Sequence, residues 1–229
     1  MRKQPLKLAL AAAFGLALTF TLSCSSGDDN NNGGGGGSCS INGGTVKIGS
    51  QTWMSENLNC YVVGSKCYDD DPANCAKYGR LYNWSTAMAL PDSCNRWDCA
   101  SKLSEKHRGI CPSGWHIPSN ADWNVLMKSV NPSCSGNADC AGAGTKLKAT
   151  SDWSNDGSGT DEFGFSALPG GLSNSVGYFS NVGIAGFYLS ASEEGGDGTY
   201  PRVMLSSDED VHFGLIDKSY LLNVRCVKD

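Results

Sequence analysis

The chain has 229 residues, with 18 Lys plus Arg against 23 Asp plus Glu and a formal net charge of -5. Its first 23 residues carry three basic side chains and no acidic one, so a chain cut after them holds 15 basic against 23 acidic groups, a net charge near -8. That balance argues against nucleic acid, whose phosphates need a positive surface, and against a second, electrostatic anchor on anionic lipid.

Arg2, Lys3 and Lys7 open the chain, and Leu8 to Leu22 is a stretch of 15 residues without charge. A basic head, a short apolar run and a small residue before the cut form an export signal. The run is shorter than the roughly 20 residues that a membrane-spanning helix needs. Thr21-Leu22-Ser23-Cys24 resembles a bacterial lipoprotein box, in which the cysteine is acylated and becomes the new N-terminus. The chain is therefore expected to be exported and anchored through Cys24 to the outer membrane, at the cell surface. Lipid at that position is its one expected membrane contact. Residues 24–38, with Asp28-Asp29, three Asn and Gly33 to Gly37, have nothing to bury and read as a flexible tether. The five glycines lack the Gly-Lys-Ser/Thr of a phosphate loop.

Residues 39–229 suit one domain with a sizeable core. Thr45-Val46-Lys47-Ile48 and Gln51-Thr52-Trp53-Met54 alternate around Gly49-Ser50, which predicts a hairpin. Leu81, Trp84 and Met88 recur at helical spacing and predict a helix over about 79–89 that stops before Pro91. Ser119 with Asp122 makes a capping box for a second helix whose apolar face is Trp123, Leu126, Met127 and Val130. Beyond about residue 145 the pattern changes. Phe163–Leu168, Val176–Phe179, Ile184–Ser190, Tyr200–Leu205, Val211–Ile216 and Tyr220–Val227 are short apolar or alternating runs separated by Gly, Asn, Ser and Asp. Helices first and an antiparallel sheet after give an α+β class.

Ten cysteines follow Cys24, an even number in an exported chain, and read as disulfides. No Cys-x-x-Cys supports a zinc or thioredoxin site. Cys67 with Cys75, Cys94 with Cys99, and Cys134 with Cys140 would each close a polar, turn-rich loop. Cys111 and Cys226 sit in apolar contexts, and bridging them closes a loop of about 115 residues, worth roughly 4 to 5 kcal/mol in chain entropy. Cys39 with Cys60 remains by elimination. Sequence alone leaves other connectivities open, and the local pairs are the firmer ones.

Four stretches carry a family resemblance. They are Ile48-Gly49-Ser50-Gln51-Thr52-Trp53-Met54-Ser55-Glu56-Asn57-Leu58, Tyr78-Gly79-Arg80-Leu81-Tyr82-Asn83-Trp84, Cys111-Pro112-Ser113-Gly114-Trp115-His116-Ile117-Pro118-Ser119 and Gly164-Phe165-Ser166-Ala167-Leu168-Pro169-Gly170-Gly171. With the closing Val224-Arg225-Cys226-Val227, they resemble the Fibrobacter succinogenes major paralogous domain over about residues 44–228. Segments 92–110 and 131–142 look like cysteine-bearing insertions. That family resembles the C-type lectin-like fold and, more distantly, the formylglycine-generating enzymes. The resemblance implies two helices packed on a twisted antiparallel sheet, with long ligand loops at one end and disulfide staples. It does not carry the enzyme over. The stretch where that enzyme keeps reactive cysteines is here Tyr200-Pro201-Arg202-Val203-Met204-Leu205, which has none.

Trp115-His116-Ile117-Pro118 reads as core, with His116 held by a nearby polar group. The three histidines, 107, 116 and 212, form no metal or triad spacing. Asp152-Trp153-Ser154-Asn155-Asp156-Gly157 places oxygen side chains at spacings of two with Gly sixth, a partial calcium loop. Asp152, Ser154, Asp156, Asp161 and Glu162 are its candidate ligands, and an ordinary turn is the alternative. The Glu-Pro-Asn and Trp-Asn-Asp motifs of calcium-dependent lectins are missing. No other cofactor is indicated. Trp153, Asn155, Tyr178, Tyr188, Glu193, Glu194, Tyr200 and Arg202 lie in the long loops and combine aromatic faces with carboxylate, amide and guanidinium groups. These suit a sugar ring, with cover for the sheet edge as the alternative. The reading is a non-enzymatic, lipid-anchored surface module that binds an extracellular polysaccharide or a partner protein. A purely structural or adhesive protein is the second reading, and an enzyme on a formylglycine-type scaffold the third. Cys24→Ser should release the protein into the soluble fraction or leave it unprocessed. Fractionation and gel mobility identical to wild type would contradict the anchor.

Overall fold

The computed structural model describes residues 39–41 and 43–229. The export signal, Cys24 and the tether lie outside them. The described residues fold around three sheets and four α-helices, α1 (Pro72–Tyr78), α2 (Trp84–Met88), α3 (Asn120–Val130) and α4 (Ala143–Leu147).

The expected hairpin pairs Thr45–Ile48 with Gln51–Met54, turning at Gly49 with φ of 58°. Its inner strand takes Val227–Lys228 as the next neighbour, and Trp115–His116 follows on the far side. The last strand therefore lies between the first hairpin and the middle of the chain. A second sheet runs Val211–Phe213, Arg202–Leu205, Ala185–Tyr188, Leu222–Asn223, Leu81–Tyr82 in spatial order, with Gly170–Ser173 and Phe179–Val182 joined to it. Three short strands, Ile216–Asp217, Gly198–Thr199 and Glu193–Glu194, make the third. The class is α+β with mainly antiparallel pairing.

The helix starts follow from their caps. Ser119 accepts from Asp122 N while Asp122 accepts from Ser119 N, and α3 buries Trp123, Leu126, Met127 and Val130 as its periodicity requires. The helix expected over 79–89 is shorter. Gly79 has φ of 75° and ends α1, Leu81–Tyr82 is a strand, and α2 begins only after Asn83, whose side chain accepts from Thr86 N at 2.9 Å. The helical spacing of Leu81 with Trp84 was coincidence, because Leu81 is instead bridged to Lys66. The turn-rich loop expected between Cys67 and Cys75 also holds the start of α1. Asp71 caps it by accepting from Ala73 N, and Pro72 occupies its first turn, where a missing N–H costs nothing. Residues 163–168 are not a strand either. Ser166 has φ of 49°, and its N–H and hydroxyl both donate to Asp161.

Five disulfides join Cys39 to Cys60, Cys67 to Cys75, Cys94 to Cys99, Cys111 to Cys226 and Cys134 to Cys140. Cys111 and Cys226 are fully buried beside Tyr82, Trp84 and Val224. A second apolar cluster centres on Trp53, Trp123, Phe165 and Tyr188, with the two indole rings 4.8 Å apart.

Arg225 lies between these clusters with no exposure. Asn57 Oδ1 accepts from its Nε at 3.1 Å and Nη2 at 2.8 Å, and the carbonyls of Phe165 and Ser166 take its remaining contacts. Its guanidinium stands 4.3 Å from the Phe165 ring centroid and 5.7 Å from that of Tyr188. Burial pushes its pKa down to about 10. Arg225→Lys keeps the charge and loses the planar fork, leaving buried acceptors unpaired. It should cost about 2 to 4 kcal/mol in urea unfolding; an unchanged midpoint would contradict this role.

Candidate functional site

The long loops do not assemble the site expected of them. Trp153 is buried at 5% exposure, its indole N–H donates to Ala167 O at 3.0 Å, and the Lys148 ammonium lies 5.1 Å from its ring. Tyr188 has no exposure, donates to Leu168 O at 2.9 Å, and has its phenol pushed up to about 12 by burial. Arg202 is 1% exposed; its guanidinium donates to Asn120 Oδ1 at 3.3 Å and Asn124 Oδ1 at 3.0 Å and lies over Phe213. Glu193 pairs with buried Lys218 at 2.5 Å and accepts from Cys99 N. These four side chains hold the fold and are not presented to a ligand. Asn155 and Tyr178 are exposed on separate turns. Tyr200 stacks on Phe213 with centroids 4.8 Å apart and donates to Glu194, on the wall of a shallow cleft with Leu215 and Asp217.

The candidate calcium ligands are turned to other partners or to solvent. Asp152 turns to Lys77 at 2.5 Å, and that contact, followed by the Ser151 hydroxyl, holds its carboxyl below the usual range. Asp161 spends both oxygens on Ser166, and Glu162 lies 3.8 Å from Lys146. Ser154 and Asp156 remain exposed. Among the described residues no group of three or more His, Cys, Asp or Glu is placed to hold a metal ion.

A different place offers unspent polar groups. Four separated segments line a cleft of about 400 Å3: Ser40 and Gly43 before the first hairpin, residues 54–59 at its end, the end of α1 from Cys75 to Gly79, and Ser166 with Leu168. That volume falls at the low end of the roughly 300 to 1,000 Å3 of small-molecule sites. Asn57 fixes the walls. Its Oδ1 receives Arg225 while its amide donates to Tyr78 O at 2.9 Å, at the end of α1. Asn223 donates to the same carbonyl at 3.0 Å. The side chains of Ser55, Glu56 and Asn59 make no hydrogen bond or ion pair with the described residues, and Glu56 and Asn59 are exposed. Met54, Ala76 and Leu168 supply apolar lining, and the Lys77–Asp152 pair stands at its edge. Sequence reasoning quoted Ser55-Glu56-Asn57 within a motif and gave it no role. Three consecutive polar residues directly after the buried Trp53-Met54 were the available signal.

His116 marks a second polar centre on the first sheet. It is 2% exposed, with Nδ1 2.8 Å from Asp229 Oδ1 and Nε2 3.4 Å from Asp122 Oδ2. Burial disfavours its charged form, yet Asp122 and Asp229 outweigh that and raise its pKa.

The family model described as Fibrobacter succinogenes major domain matches residues 46–228. The chain belongs to that family. No curated protein and no solved structure matches it.

The raised pKa of His116 gives a signed pH dependence. Its stabilisation is fully present below the unfolded value of 6.5 and is lost as pH rises through the higher folded value. The stability gap between wild type and His116→Gln, measured by urea unfolding, should therefore be widest in mild acid and close at alkaline pH. A gap that widens with rising pH would contradict it.

Proposed function

We propose that this chain is a non-enzymatic binding module of C-type lectin-like fold, carried outside the cell by lipid on Cys24, and that its cleft at Glu56 and Asn59 holds a unit of an extracellular polysaccharide. One observation carries the reading: unpaired carboxylate, amide and hydroxyl groups line a cleft whose walls are braced from behind by Arg225. A carboxylate and an amide accept from and donate to neighbouring sugar hydroxyls, and the apolar lining suits the ring's C–H face. Rigid walls lower the ordering cost of binding. Five disulfides fit an exported protein. No helix among the described residues is long and apolar enough to cross a membrane.

Binding is favoured over catalysis by the state of the usual catalytic side chains. His107 Nε2 lies 2.8 Å from Met88 O, His116 is enclosed by two carboxylates, and His212 stands 3.0 Å from Asp139 and 3.1 Å from Asp208. The ten described cysteines are all in disulfides.

The test uses the natively exported chain in mild detergent against soluble β-glucan, xylan, galactomannan and dextran. Wild type should bind at least one of them. Glu56→Gln and Asn59→Ala should each weaken that binding about tenfold, or 1.4 kcal/mol, with unchanged melting temperature. Wild type that binds none, or variants that bind like wild type, would defeat the proposal and leave the structural or adhesive reading.

A further inference from the structure

The cleft has a neighbour that no other exposed aromatic residue of the described chain matches. Asn59 lines the cleft, and Tyr61, two residues on, is 74% exposed. The intervening Cys60 is pinned three ways. Its N–H donates to the Tyr82 hydroxyl at 2.9 Å, its carbonyl accepts from that hydroxyl at 2.8 Å, and its sulfur is bonded to Cys39. Tyr61 therefore leaves the cleft wall from a fixed point.

Its ring is also braced on one side. The Arg80 guanidinium lies 5.1 Å from the ring centroid. That guanidinium is itself held, donating to Ser65 Oγ at 2.9 Å and Ser65 O at 3.1 Å, with Nη1 3.5 Å from Cys75 Sγ in the cleft wall. A cation against one face of an aromatic ring orients it and leaves the other face open. Trp97 and Tyr178 are 68% and 70% exposed, and among the described residues no cation or second ring lies against either. An exposed ring held in one orientation by its own protein loses little entropy when a flat partner stacks on it.

We infer that Tyr61, oriented by Arg80, is a second sugar subsite continuous with the cleft, so that the ligand is a run of several units in a neutral polysaccharide and not a single sugar. This rests on the function proposed above. Charge points to the neutral class. Lys77 is balanced by Asp152, and Arg80, whose hydrogen bonds go to the uncharged Ser65, balances Glu56, so these groups carry no net charge with which to draw in a charged chain.

The test compares disaccharides and hexasaccharides cut from whichever of β-glucan, xylan, galactomannan or dextran the wild type binds. Wild type should hold the hexasaccharide at least tenfold more tightly than the disaccharide. Tyr61→Ala should abolish that difference while leaving disaccharide affinity and melting temperature unchanged. Trp97→Ala should alter neither. A length advantage that survives in Tyr61→Ala, or no length advantage in wild type, would overturn the subsite. If Glu56→Gln removes binding while Tyr61→Ala is silent, the cleft stands and the subsite alone falls. Wild type that binds none of the four polymers defeats both.

Discussion

Arg225 is a buried cation that makes no ion pair with the described residues, with Asp161 and Glu56 acting on it only from beyond contact, and much of the molecule is arranged to make that tolerable. A buried charge needs its donors satisfied and its field compensated. Here Asn57 Oδ1, two backbone carbonyls and the faces of Phe165 and Tyr188 do both. The acceptors come from two parts of the chain, both distant in sequence from Arg225. Asn57 follows the first hairpin, Phe165 and Ser166 belong to the irregular loop before the second sheet, and Arg225 adjoins the last strand. The guanidinium therefore ties the loop at Phe165 and Ser166 to the paired backbone of the first hairpin and the last strand. Cys226, its neighbour, is bonded to Cys111, so the same point is tied covalently to the segment leading into α3.

The consequence reaches the surface through one side chain. Asn57 accepts from Arg225 on one side and donates to the last carbonyl of α1 on the other. Ser55, Glu56 and Asn59 flank it in sequence and inherit its placement. The cleft is thus an outer layer on a buried polar network. Of its side chains, Asn57 uses both its oxygen and its amide, while Asn223 donates to the same carbonyl and leaves its own oxygen unpartnered. Bracing of the walls by Asn57 would favour the sugar ligand proposed for the cleft, because a sugar hydroxyl exchanges one water contact for one protein contact and gains little net energy.

Local rules in the sequence reached part of this. The Gly49-Ser50 hairpin, the Ser119–Asp122 capping box and the short cysteine loops depend on a few adjacent residues, and the structure contains all of them. Burial of single side chains was less legible. Trp153 stands in a run of polar residues with no periodic partner, so nothing nearby announces that Ala167 will accept its N–H and Lys148 will cover its ring. Arg202 and Glu193 read as surface groups because charge usually is; Asn120, Asn124 and Lys218 make them otherwise, from far along the chain. The cleft was hidden for the same reason, since its four lining segments lie apart in sequence and only the tertiary fold decides their docking.

The buried cations also decide what kind of surface is left. Lys148, Arg202, Lys218 and Arg225 are withdrawn inside, four of the chain's 18 basic side chains. Lys148 is spent on the carbonyls of Leu205 and Asp208, and Arg202 on two amides, so neither needs an acidic partner. Glu193 is drawn inward with Lys218, and the other three cations are buried without a paired carboxylate, though their charge still counts in the protein's net field. The exterior is therefore more acidic than the sequence count alone indicates. Such a surface repels polyanions at long range and lends no electrostatic steering toward them. The proposed recognition of an uncharged polymer would rest instead on shape, hydrogen bonds and apolar contact.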